Sequence, residues 1–134
     1  QGLRKKLNFG HTIGHALEEL TMEKRNAHPE IKPLLHGYAV AYGMLAELYL
    51  SHAILGLDHS IITIMTHYVI EHYGKITCPC RDTERLIELM RHDKKNTNDN
   101  EINFTLLKQT GLAYINQTAD DKLIREALEY VMTL

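Results

Sequence analysis

Two imidazoles stand four residues apart in the segment Leu7-Asn8-Phe9-Gly10-His11-Thr12-Ile13-Gly14-His15-Ala16-Leu17-Glu18. On a helix, His11 and His15 project from the same face, about one turn apart. Such a pair can hold zinc between its two rings. Gly10 and Gly14 are poor helix residues, each costing about 1 kcal/mol relative to alanine. A helix that accepts both needs something to approach its backbone: a metal, a ligand or a packed partner helix. A third imidazole, His36, sits in Leu34-Leu35-His36-Gly37 at the start of the next apolar segment. If the intervening loop folds that segment back, His36 approaches either ring. Zinc enzymes typically use three protein ligands. Spacing places no obvious carboxylate beside these histidines, so the site reads as incomplete.

The same stretch suits an anion. On a continuous helix Arg4, Asn8, His11 and His15 form one stripe. A guanidinium, an amide and two imidazoles in a row suit a small substrate bearing carboxylate or phosphate groups, although a solvated helix face has the same composition. His15 is also a proton carrier by chemistry, since an unperturbed imidazole titrates near neutrality. His92-Asp93-Lys94-Lys95-Asn96 is a second cationic point, from which a lysine could reach a phosphate as a point charge. His28, His52, His59, His67 and His72 read as structural or surface residues. Met44, Met65 and Met90 read as core packing.

These side chains need a scaffold, and 134 residues suit one domain with a real core. A helix is expected from about 7 to 20, with Phe9, Ile13, Ala16, Leu17 and Leu20 as its apolar side. Residues 21–35, with Pro29 and Pro33, read as a loop. A strongly apolar helix follows over about 37–55. Ala39, Val40, Met44, Leu45, Leu48 and Tyr49 are spaced for burial on more than one face, as in a central helix. Asp58 is the expected N-cap of a third helix to about Tyr73. Residues 74–80 read as a connector, 82–90 as a short helix and 91–101 as a polar loop. Strand character over 102–108 and 112–116, around Gly111, predicts a hairpin. A last helix begins near 118–120 and reaches Met132. The expected fold class is therefore mainly α, a helical bundle-like domain with one small β-hairpin.

Composition narrows the partners. The formal net charge is −2 with histidines neutral, so nothing draws the whole chain to nucleic acid or acidic membranes. The longest apolar run, Tyr38 to Leu50, is interrupted by Glu47 and is too short to span a bilayer. The only cysteines, Cys78 and Cys80, flank Pro79. A bridge between such near neighbours would be strained, which favours a reduced, cytoplasmic setting.

Arg4, the run Asn8-Phe9-Gly10-His11-Thr12-Ile13-Gly14-His15-Ala16, then Leu35-His36-Gly37 with Ala39-Val40 and Gly43-Met44, together resemble the 3-dehydroquinate synthase family of sugar-phosphate cyclases. Asp93-Lys94-Lys95, Phe104-Thr105-Leu106-Leu107 and Gly111 resemble the later part of that family's helical C-terminal domain. The resemblance implies that residues 1–134 form this C-terminal domain, with an N-terminal NAD-binding domain of the same protein as partner. It implies NAD and a divalent metal, zinc or cobalt, as cofactors. It also implies a homodimer for the full-length enzyme and a phosphorylated sugar acid, 3-deoxy-D-arabino-heptulosonate 7-phosphate, as substrate.

By the same resemblance, His11 and His36 are metal ligands, while Arg4, Asn8 and His15 bind substrate. His15 is also the catalytic residue, and Lys94 or Lys95 contacts phosphate. The family's third metal ligand, a glutamate, belongs to the preceding part of the enzyme. So does the NAD loop: no Gly-x-Gly-x-x-Gly occurs here, and no cofactor-binding residue is assigned to this chain. Many members carry Glu where this chain has Tyr38. The chain begins without Met and reads as a fragment that is inactive alone. The alternatives are another sugar-phosphate cyclase, a related metal-dependent alcohol dehydrogenase domain, and a stand-alone helical metal-binding module.

Overall fold

The structure is a computed structural model and describes residues 9–32, 34–76, 82–92 and 102–134. Five helices and one hairpin occur among them: α1 (His11–Ala27), α2 (His36–Leu55), α3 (His59–Tyr73), α4 (Thr83–Arg91), β1 (Phe104–Gln109), β2 (Leu112–Gln117) and α5 (Asp121–Met132). The mainly helical expectation holds. No helix among the described residues is long and apolar enough to cross a membrane.

α2 is the axis of the fold, as its apolar residues predict. Ala39, Tyr42, Leu45, Ala46, Leu48 and Leu50 are all buried. A helix that is apolar all round must be enclosed. Accordingly α1, α3, α5 and β1 all pack on α2. α1 buries the stripe Ile13, Ala16, Leu17 and Leu20 against it. Two buried hydroxyls fasten the surroundings. Ser51 donates to the Glu47 carbonyl at 2.7 Å and accepts from the Leu107 N–H of β1 at 2.9 Å. Tyr42 donates to the Gly74 carbonyl at 2.7 Å, tying α2 to the end of α3.

Caps written in the sequence are used where they fall. Asp58 accepts from Ser60 N–H at 3.0 Å, Asp82 from Arg85 N–H at 3.1 Å and Asp120 from Leu123 N–H at 2.8 Å. Each satisfies a backbone donor that a helix start leaves free. β1 and β2 pair antiparallel, with Phe104 opposite Gln117 and Gln109 opposite Leu112, around a turn where Gly111 has φ +83°.

α1 departs from expectation at both ends. It starts at His11, not near residue 7, because Gly10 is left-handed at φ +85° and cannot lie inside a right-handed helix. The single helical stripe expected to run from Arg4 through His15 is therefore interrupted at Gly10. α1 also continues past Leu20 to Ala27, through residues expected to be loop. That extension is polar but useful: Glu23 forms a two-point pair with Arg85 of α4, at 2.6 and 3.0 Å. Thr21 donates to the Glu18 carbonyl and accepts from Leu34 N–H at 3.1 Å, which tethers the chain leading to α2. α4 runs to Arg91, and residues 93–101 of the expected polar loop lie outside the described residues.

Candidate metal centre

The glycines explain how α1 and α2 come so close. A Cβ on Gly43 of α2 would lie 2.3 Å from the Gly10 carbonyl oxygen and 2.7 Å from the Gly14 nitrogen. A packed helix is one of the partners that Gly10 and Gly14 left open, and α2 supplies it. Backbone meets backbone at this crossing, so His36 at the first position of α2 arrives beside the first turn of α1.

The three imidazoles converge there. Ring centroids are 5.4 Å apart for His11–His15, 5.6 Å for His11–His36 and 6.2 Å for His15–His36. His11 and His15 are half-buried, and the His36 side chain is 58 % exposed, so the cluster opens to solvent on one side. A groove runs from it along α2, lined by His11, His36, Gly37, Val40, Met44 and Tyr73. Tyr38, where many members of the resembled family carry Glu, packs edge-to-face on Tyr73 at 4.9 Å near this groove.

A carboxylate is also present, contrary to the sequence expectation. Glu18, one turn beyond His15 on α1, accepts from His36 Nδ1–H at 2.8 Å. The signal was available, since residues three apart on a helix are neighbours. Donor atoms of His15, Glu18 and His36 all lie within 4.8 Å of one another. His11 is held differently: its Nδ1 faces the Phe9 carbonyl at 3.3 Å. With Nδ1–H donating, the Nε2 lone pair of His11 and of His36 is left for a Lewis acid. Borderline-soft imidazole nitrogens with a nearby carboxylate are a donor set that fits zinc or cobalt.

The remaining candidates fall elsewhere. Arg4, Asn8, Lys94 and Lys95 lie outside the described residues, as do Cys78 and Cys80. His52 keeps a structural role, its Nδ1 donating to the Leu57 carbonyl at 2.6 Å, beside His59.

Fold and cluster define a mainly helical domain in which α1 and α2 gather side chains of metal-ligating chemistry. A family model described as 3-dehydroquinate synthase C-terminal matches residues 1–96, and the chain belongs to that family. It is 46% identical to a 3-dehydroquinate synthase of Parabacteroides distasonis over 97% of its own length and 35% of that protein's. It is 40% identical to the same enzyme of Listeria welshimeri, over 98% of this chain and 33% of that one. For the enzyme of Dehalococcoides mccartyi the identity is 40%, over 86% and 29% respectively. The chain thus spans about a third of the length of the curated relatives it matches.

Proposed function

We propose that this chain supplies the metal-holding wall of a 3-dehydroquinate synthase, a cytoplasmic lyase that converts 3-deoxy-D-arabino-heptulosonate 7-phosphate to 3-dehydroquinate and phosphate. The observation that carries the reading is the convergence of His11, His15 and His36, with centroids 5.4–6.2 Å apart, at the crossing of α1 and α2. Membership of the family supports it.

In this reading His11 and His36 hold a divalent ion through Nε2, zinc or cobalt by donor chemistry. Glu18 and the Phe9 carbonyl orient the two rings through Nδ1. When bound, such an ion acts as a Lewis acid toward substrate oxygens. His15 binds the substrate and carries a proton at a ring nitrogen. Arg4, Asn8 and either Lys94 or Lys95 take the carboxylate and phosphate ends, which contributes positioning. NAD carries the redox chemistry and is held by an N-terminal domain outside these residues, in an enzyme that works as a homodimer.

The test is phosphate release by the full-length protein from the sugar-acid phosphate, with NAD and zinc. Wild type releases phosphate and H36A does not, while residues 1–134 alone give no turnover. Full activity of H36A, or turnover by the chain alone, would contradict the reading.

A further inference from the structure

We propose that Glu47 is the positioning residue that fixes His11 relative to His36. It lies on α2, three turns beyond His36, and its side chain is completely buried. Its carboxylate reaches across to the start of α1. Oε1 accepts from Gly10 N–H at 2.9 Å and Oε2 from Ile13 N–H at 3.1 Å. Gly10 has no side chain to cap its own helix. A capping box satisfies the N-cap and N3 amides with two local side chains. Here one carboxylate from another helix satisfies both.

The consequence reaches the cluster because His11 lies between those two anchored amides, next to Gly10. A negative group is also favourable at a helix N-terminus, where backbone N–H groups point outward. Glu47 and His36 share one rigid helix, so clamping Gly10 and Ile13 to Glu47 sets the separation of His11 from His36. Gly43, on the same helix, keeps the two backbones close enough for the carboxylate to reach. Ser51, one turn later, fastens this part of α2 to β1.

The inference rests on the reading of His11 and His36 as ligands, and the experiment separates the two. Zinc affinity of the full-length protein is measured by chelator competition, with the cobalt(II) visible spectrum as a second readout. E47Q keeps one acceptor but turns an amide NH2 toward a backbone N–H. It should weaken zinc binding roughly tenfold or more, the range seen when support around a ligand is lost, and alter the cobalt spectrum while far-UV circular dichroism stays native. V131A, a core truncation on α5, controls for stability alone: it lowers the melting temperature and leaves zinc affinity unchanged. If E47Q does not fold, E47D replaces it, retaining the charge but falling one methylene short. Wild-type affinity and spectrum in the folded Glu47 variant, with H11A and H36A both impaired, would overturn the inference alone. Unimpaired binding by H11A and H36A would overturn the ligand reading beneath it.

Discussion

Glu18 on α1 and His36 at the first position of α2 are joined by a 2.8 Å contact from Oε1 to Nδ1, across 18 residues of sequence. The contact engages Nδ1 of His36 and leaves Nε2 as the ring nitrogen open to a Lewis acid. The Glu18 side chain is 30 % exposed and that of His36 58 %, so the bond lies at the surface and its role is to orient the ring more than to add stability.

If His36 is a ligand, as proposed, Glu18 should contribute to metal affinity by orienting its ring. E18Q should weaken zinc binding by about 10–100-fold, the effect of losing a supporting partner, with little change in melting temperature. Isothermal titration of wild type and E18Q checks this. Equal affinities would leave Glu18 a surface residue.

The glycine crossing makes a sharper stability prediction. Gly43→Ala puts a methyl 2.3 Å from a backbone oxygen, where no rotamer change relieves it. The helices must part, at a cost of about 1–3 kcal/mol for overpacking. Thermal denaturation should show the loss, and zinc affinity should fall with it because the crossing also places His36. A fully stable Gly43→Ala variant would contradict the close packing of α1 on α2.

The α1–α4 ion pair predicts a pH dependence. Hydrogen bonding to Arg85 holds Glu23 below its ordinary value of 4.5. In the acid range the unfolded chain then binds more protons than the folded one. The stabilisation is present above 4.5 and is lost as pH falls through the lowered folded value. Glu84, held down by Arg125, acts in the same direction. The melting temperature of E23Q should lie below wild type at neutral pH, and the gap should close as the pH falls below 4.5 and through the lowered folded value. A gap that widens there would refute the assignment.

Much of this fold was legible because its signals are local. Asp58, Asp82 and Asp120 each sit within three residues of the amide they satisfy; the Asp58 cap forms as read, and the other two fall at helix starts that the sequence places nearby. The all-round apolar character of α2 likewise predicts its central place. The limits of α1 were not legible for a physical reason. Its start lies at left-handed Gly10, whose N–H is held by Glu47, 37 residues away, and its polar C-terminal half is held by Arg85 of α4. Neither partner lies within a helical period. The histidine cluster was half legible: the His11–His15 spacing announces it, and His36 joins only through the glycine crossing. Glu18 could have been read from its distance to His15, but its value depends on His36 arriving beside it.

The central claim is that His11 and His36, not His15, hold the ion, and cobalt(II) titration of H11A, H15A and H36A in the full-length protein tests it most directly. The account predicts that H11A and H36A lose tight binding and the visible bands of bound cobalt, while H15A keeps both and loses activity. Tight binding retained by H11A but lost by H15A would contradict it and assign the ion to His15, Glu18 and His36, whose donor atoms lie within 4.8 Å of one another.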